Sequence, residues 1–190
     1  MKICIIIIAA LFLSCSPNTS ETNKDLPNKP EEAYLYDYDV EERIQELNIQ
    51  LKEPGKPVAN YVNAVRTGNL VFMAGKGPTA PSGDLVTGKV GIDLTQEEGY
   101  EAAKLAAVAQ LSALKSEIGD LNKVKRIVKV LGMVNSDTAF TNHPEVINGF
   151  SDLMVEVFGE RGKHARAAVG MGSLPRNIAV EIEMIVEIQD

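Results

Sequence analysis

The spacing of hydrophobic residues predicts two long helices. Residues 95–118 are rich in alanine and form the first helix, where Thr95 and Glu98 have the spacing of a capping box. Gly119 is placed to end that helix. Pro144 suits the first turn of the second helix. That helix carries apolar side chains at i, i+4, i+7, i+8 and i+11, namely Val146, Phe150, Leu153, Met154 and Val157.

Five further segments are predicted to be strands. Residues 61–65 and 70–74 flank the turn at 67–69 and read as a hairpin. Residues 124–134 form the third strand. One face is expected to hold Val124, Val128, Val130 and Val134, and the other Ile127, Leu131 and Met133. The last two strands lie within residues 164–188, and the turn between them predicts that they pair as a second hairpin.

The last strand alternates almost perfectly between apolar and acidic residues. Val180, Ile182, Met184, Val186 and Ile188 share one face, and Glu181, Glu183 and Glu187 share the other. If Glu181 is covered by a partner, its carboxylate needs a charge or a hydrogen bond. Arg166, on the strand before, is one candidate. It could pair with Glu181, or bind a substrate carboxylate while Glu181 positions water.

The order β-β-α-β-α-β-β, after a short helix at 40–48, predicts an α/β (α+β) domain with a single sheet. Two long helices packed on one face would leave the other face bare. Several strands are nonetheless apolar on both faces, and soluble proteins seldom expose such a surface. We therefore expect an oligomer, with sites between subunits.

Charge and cysteine content exclude several classes of function. The 190 residues carry a formal net charge of −7, which argues against a nucleic-acid-binding surface. The two cysteines, Cys4 and Cys15, both lie at the N-terminus, so no zinc-binding spacing exists. No phosphate-loop, dinucleotide or zinc-protease motif occurs. We expect neither a metal nor a cofactor.

The N-terminus predicts export. Lys2 precedes an apolar run at 3–13, which is too short to span a bilayer and typical of a signal peptide. Ser14 and Cys15 follow the run, and the ending Leu13-Ser14-Cys15 resembles a bacterial lipobox. We predict a signal peptide at 1–14, a lipidated Cys15 with a flexible tether at 15–39, and a folded domain at 40–190. The alternative is an ordinary signal peptide with an incidental cysteine.

On the first interpretation the protein is anchored in the bacterial cell envelope, and its lipid is its only contact with the membrane. The tether ends in alternating tyrosines, Tyr34, Tyr36 and Tyr38. They are interpreted either as a linker packing loosely on the domain or as a ladder that stacks on a ligand.

Several segments resemble the Rid family, the YjgF-type reactive intermediate deaminases. Residues 60–62 and 67–72 resemble the family's N-terminal hairpin. Residues 166–169, 174–175 and 180–183 resemble its signature Arg-Ser-x-Val, Leu-Pro and Val-Glu-Ile-Glu. Asn148 stands where the family has an asparagine. The chain departs from the family at Ala74, Lys76, Ala167 and Ala168, where serine, glutamine, serine and often cysteine are usual.

The resemblance implies a chorismate-mutase-like mixed sheet and a homotrimer with three clefts between subunits. In the deaminases, the arginine matching Arg166 binds the carboxylate of a 2-imino acid, and the glutamate matching Glu181 orients the attacking water. The residues matching Tyr61 and Asn148 line the cleft, and the backbone amide of Ala168 could also serve. Such chemistry needs no metal or cofactor.

Two polar residues and two other functions stay open. Lys76 could add a positive charge to the site or point to solvent. His164 is interpreted as a packed strand residue, with a general acid as the alternative, and His143 as a helix-boundary residue. The chain could instead be a trimer that only binds a small carboxylate. The ribonuclease activity that some family labels carry fits poorly with an acidic, exported chain.

Overall fold

A computed structural model describes residues 36–55 and 59–189. The predicted signal peptide and the lipid site at Cys15 lie outside the described residues and stay predictions. The helices are α1 Val40–Glu46, α2 Gln96–Ile118 and α3 His143–Phe158. The strands are β1 Ala64–Thr67, β2 Leu70–Lys76, β3 Val124–Asn135, β4 Ala165–Met171 and β5 Val180–Ile188. No helix within the described part of the chain is long and apolar enough to cross a membrane.

The strands form one mixed five-stranded sheet in the order β1-β2-β5-β3-β4. β3 runs parallel to β4 and antiparallel to β5, so β3 lies between the last two strands. The expectation that these two strands form a hairpin is therefore wrong. The connection carries a 3-10 turn at Pro175–Asn177 and crosses the end of β3. β3 is the longest strand, with 12 residues, and it offers one pairing edge to each neighbour.

The predicted faces of β3 are wrong at two positions. Ile127 is buried beside Val124 and Val130, whereas Val128 is only half-buried. The pairing with β5 shifts register twice, between Val124 and Arg126 and between Ile127 and Lys129. Each such irregularity adds a residue to one strand and reverses the alternation beyond it. A strict period of two therefore assigned Ile127 and Val128 to the wrong faces.

Both long helices form as predicted. The Thr95 hydroxyl accepts a hydrogen bond from the Glu98 amide, and the Glu98 carboxylate accepts one from the Thr95 amide. Gly119 ends α2 with a positive φ of 79°. α2 lies over β2 and β5, α3 lies over β3 and β4, and the two helices pack on each other. The alanines of α2 allow close packing, and five of them are buried, namely Ala102, Ala103, Ala106, Ala107 and Ala113.

The sheet face opposite the helices is uncovered in the single chain. Phe72 of β2 is 42% exposed there, Val65 of β1 is 55% exposed and Val169 of β4 is 39% exposed. The neighbours of Phe72 in sequence, Val71 and Met73, face the helices and are buried. We call the exposed side the open face. Its apolar residues are of the kind that the sequence led us to expect against another subunit.

Tyr36 and Tyr38 pack on the domain rather than projecting from it. The Tyr36 hydroxyl donates to the Val124 carbonyl at 2.5 Å, and the Tyr38 hydroxyl donates to the Val157 carbonyl at 2.9 Å. The Arg161 guanidinium lies 5.3 Å from the centre of the Tyr36 ring, a cation–π distance. These contacts favour the packing interpretation over a ligand-stacking ladder, while Tyr34 lies outside the described residues.

Gly149 should be among the most sensitive positions of the helix pair. A Cβ there would overlap the main-chain carbonyl of Tyr100 on α2. Gly149→Ala should therefore destabilise the domain by about 2–3 kcal/mol, the cost of overpacking a fixed backbone contact. Chemical denaturation measures this. Gly172→Ala, which meets nothing within 4 Å, is the control and should change the free energy of unfolding by less than about 0.5 kcal/mol. Equal effects of the two changes would refute the close helix contact.

Candidate functional site

Arg166 lies on the edge strand β4, and its side chain points to the helix side of the sheet. Its Cα pairs with that of Val130, whose side chain is buried under the helices. The guanidinium reaches α3 and makes three hydrogen bonds. Nη1 donates to Asn148 Oδ1 and to Ser151 Oγ, both at 2.9 Å, and Nη2 donates to the Pro144 carbonyl at 3.3 Å.

These contacts leave part of the guanidinium unused. Arginine has five N–H donors in a fixed planar fork. Three of them are satisfied by α3, and among the described residues nothing accepts from Nε or from the second hydrogen of Nη2. Two donors on one planar group suit a carboxylate, which can accept two hydrogen bonds at once. Arg166 is thus held in place and still able to bind an anion.

His164 extends the same hydrogen-bond network. Its Nδ1 lies 2.7 Å from the Gly162 carbonyl, and its Nε2 lies 3.0 Å from Ser151 Oγ. Burial lowers the pKa of His164, the bond to Gly162 opposes this, and the nearby charge of Arg166 lowers the pKa further. The packed, hydrogen-bonded interpretation of His164 agrees with these contacts. Ser151 was missed, although its position one helical turn after Asn148 is a signal that could have found it.

Glu181 lies on the opposite face of the sheet. It pairs with Met133 on the open face and is half-buried. A Cβ at residue 75 would overlap its carboxylate, so Gly75 makes room for it. Burial raises the pKa of Glu181, and the charge of Glu183 raises it further. No group in the described part of the chain donates a hydrogen bond to this carboxylate.

Arg166 and Glu181 do not meet within one chain. They lie on opposite faces and on strands separated by β3. Two strand spacings across and three residues along put their Cα atoms about 14 Å apart. The expected pairing between adjacent strands is therefore wrong, because it rested on the hairpin that the sheet order excludes.

The other candidate residues surround these two at different depths. Tyr61 precedes β1 and is 53% exposed. Lys76 ends β2 and is half-buried; its Nζ donates to Asn63 Oδ1 at 2.5 Å, and burial lowers its pKa. Lys76 thus neither extends freely into solvent nor contacts Arg166. Ala168 follows Arg166 on the same side of β4 and packs against the core.

A second polar cluster, missed by the sequence analysis, lies near the far end of β4. His143 Nε2 is 3.1 Å from Ser136 Oγ, above Gly170, where any side chain would collide with the imidazole. Lys89 Nζ lies beside it and donates to Asn135 Oδ1 at 2.9 Å. These bonds satisfy buried polar groups and join loop, strand and helix. Within residues 36–55 and 59–189, no three His, Cys, Asp or Glu side chains are grouped as a metal site requires.

Comparison with known proteins decides the family. A family profile described as "YjgF/chorismate_mutase-like, putative endoribonuclease" matches residues 41–188. The chain belongs to the YjgF family. The resemblance to Rid proteins and the single mixed sheet with its chorismate-mutase-like architecture are thereby confirmed.

Three proteins illustrate what this YjgF-family chain is similar to. Protein TCP17 of Trypanosoma cruzi is 41% identical over 152 residues, covering 80% of this chain and 95% of that protein. A protein from Dermatophagoides farinae named 2-iminobutanoate/2-iminopropanoate deaminase is 30% identical, covering 70% and 90%. Atu1372, a protein of unknown function from Agrobacterium tumefaciens, is 45% identical in sequence. Its crystal structure matches with a TM-score of 0.73 over 79% of this chain and 94% of Atu1372.

In the separated subunit, Glu181 should titrate above the usual pKa of 4.5, because burial disfavours its charged form. Carbon-detected NMR of the side-chain carboxyl measures this. Glu183→Gln should lower the pKa of Glu181, because it removes a like charge.

In the separated subunit, the free energy of unfolding should also depend on the ionisation of Glu181. The folded pKa lies above the unfolded value, so this contribution is complete below about pH 4 and is lost as pH rises through the folded pKa. Glu181→Gln should remove that loss and raise Tm at pH 7 by no more than about 2 °C. In the separated subunit, a Glu181 carboxyl that titrates below 4.5 would contradict its burial.

Proposed function

We propose that this protein hydrolyses reactive 2-imino acids and their enamine tautomers to 2-oxo acids and ammonia. The observation that carries the proposal is the state of Arg166. α3 holds its guanidinium at three points, and two of its N–H donors have no acceptor among residues 36–55 and 59–189. Those donors fit the carboxylate of a 2-imino acid. The deaminase name of the Dermatophagoides farinae relative supports the same substrate class.

The reaction needs little beyond placement and charge. An imine carbon is already electrophilic, so water can attack it once the substrate is held. Arg166 neutralises the substrate carboxylate. Glu181, as the carboxylate, accepts a proton from the water as the C–O bond forms. Glu181 passes that proton to the imine nitrogen, which gives a carbinolamine. The proton of the new hydroxyl then moves to the nitrogen as the C–N bond breaks, so ammonia leaves and the carbon becomes the carbonyl of the 2-oxo acid.

We propose further that the site is completed between subunits of a homotrimer. Within one chain, Arg166 points to the helices and Glu181 points to the open face. Their Cα atoms are about 14 Å apart, as the strand pairing and strand geometry give. A second subunit packed on the open face can bring its own Arg166 edge to Glu181. This accounts for a half-buried carboxylate without a donor among the described residues and for the exposed apolar side chains around Phe72.

The remaining candidate residues are proposed to line each of the three clefts. Asn148 holds the guanidinium through its Oδ1 and leaves its amide nitrogen available. Tyr61 is exposed beside β1, where it can cover a substrate side chain. The Ala168 amide on the edge strand can assist Arg166. Lys76 would add a positive charge only after leaving Asn63.

A second candidate is a trimer that binds a small carboxylate without catalysis. The separation of Glu181 from Arg166 within one chain favours it, since Arg166 alone suffices for binding. The net charge of −7 speaks against RNA as the substrate, despite the endoribonuclease wording of the family description.

Arg166→Ala should abolish hydrolysis of 2-imino acids generated in situ by an amino-acid oxidase. Arg166→Lys should recover little, because an ammonium lacks the planar fork. We expect kcat/KM to fall at least about a hundredfold, the loss of two charge-assisted hydrogen bonds. Arg43→Ala, on α1 and away from both the open face and Arg166, is the matched control and should retain activity.

The same assay separates the two candidates. Suppose that the wild-type protein fails to accelerate the hydrolysis of any 2-imino acid and is still thermally stabilised by 2-oxo acids in an Arg166-dependent manner. That result would support the binding function over the enzymatic one. Full activity in Arg166→Ala would refute both.

A further inference from the structure

Ser151 and His164 lie behind Arg166, on the side away from its unused donors. Ser151 Oγ is 2.9 Å from Arg166 Nη1 and 3.0 Å from His164 Nε2. His164 Nδ1 in turn is 2.7 Å from the Gly162 carbonyl. The three side chains thus form one continuous chain of hydrogen bonds that ends on the main chain.

The direction of each bond follows from the ends of this chain. A carbonyl oxygen can only accept, so His164 Nδ1 carries a proton. In the neutral imidazole Nε2 is then an acceptor, and the Ser151 hydroxyl donates a hydrogen bond to it. The lone pairs of Ser151 Oγ remain for Arg166 Nη1, which can only donate. One tautomer of His164 therefore orients the hydroxyl that holds the guanidinium.

The surroundings of His164 favour its neutral form. From α3 it meets Ser151 and the edge of the Phe150 ring, whose centroid is 6.2 Å away, and neither is charged. From the turn after α3 it meets the Gly162 carbonyl. From β4 the charged group is Arg166. An imidazolium would place a second positive charge at most about 6 Å from the guanidinium nitrogen, because both nitrogens lie within 3.0 Å of the same oxygen.

We propose that Ser151 and neutral His164 are positioning residues that fix the orientation of the Arg166 guanidinium. Ser151 Oγ and Asn148 Oδ1 accept both hydrogens of Nη1, which leaves Nε and the second hydrogen of Nη2 to face the cleft. The catalytic consequence rests on the proposed function. The positioning itself does not, and it can be measured without substrate.

The ligand-free test is nitrogen NMR of the Arg166 guanidinium and of the two histidines. His143→Gln assigns the pair, since the chain has only two histidines. We expect His164 in the Nδ1–H form and resolved, slowly exchanging Nη resonances for Arg166. Ser151→Ala should average those resonances, and Ser151→Thr, which keeps the hydroxyl, should preserve them. An Nε2–H tautomer, or Nη resonances unchanged in Ser151→Ala, would overturn the proposal.

The kinetic test separates positioning from simple structural damage. Ser151→Ala should raise KM for the 2-imino acid about tenfold, because one hydrogen bond to a charged group is lost, and leave kcat within about twofold. Ser151→Thr should restore KM. Ser116→Ala, exposed on α2, is the control. If the wild-type protein is active and Ser151→Ala leaves KM unchanged, the positioning role is overturned and the proposed function is not. An inactive wild type removes the proposed function, and the NMR result still decides the positioning.

Discussion

The pairing of β3 on both of its edges determines where Arg166 and Glu181 lie. Its parallel register with β4 puts Arg166 opposite Val130 and so turns the guanidinium toward α3. Its antiparallel register with β5 puts Glu181 opposite Met133 and so turns the carboxylate to the open face. Because β3 separates the two strands, no side-chain adjustment can join these charges within one subunit. The fold therefore supplies two half-sites on opposite faces.

The two half-sites differ in how they are satisfied. Arg166 has three hydrogen-bond acceptors on α3, two of them side chains one helical turn apart, Asn148 and Ser151. Glu181 has burial and a like charge but no donor from the described residues, and its pKa is raised accordingly. A buried carboxylate costs free energy unless another group compensates it. A neighbouring subunit that brings Arg166 or bound water to Glu181 would provide that compensation.

The sequence predicts most of the fold and only half of the candidate site. Local signals were sufficient where local forces decide, as in the Thr95–Glu98 capping box and the apolar face of α3. The partner of β4 could not be predicted, because a period of two describes a strand equally well whether it pairs with the next strand or with an earlier one. The two register shifts in β3 leave no mark in its sequence. Ser151 and His164 act through contacts that exist only once α3 lies over β4.

Subunit mixing tests most directly whether Arg166 of one subunit acts with Glu181 of another, as we propose. Arg166→Ala and Glu181→Gln proteins should each be inactive alone. After unfolding and refolding together in equal amounts, random trimers would contain intact composite sites at about one quarter of all clefts, so about one quarter of wild-type activity should return. No recovery from a mixture shown by mass spectrometry to contain mixed trimers would contradict the shared site.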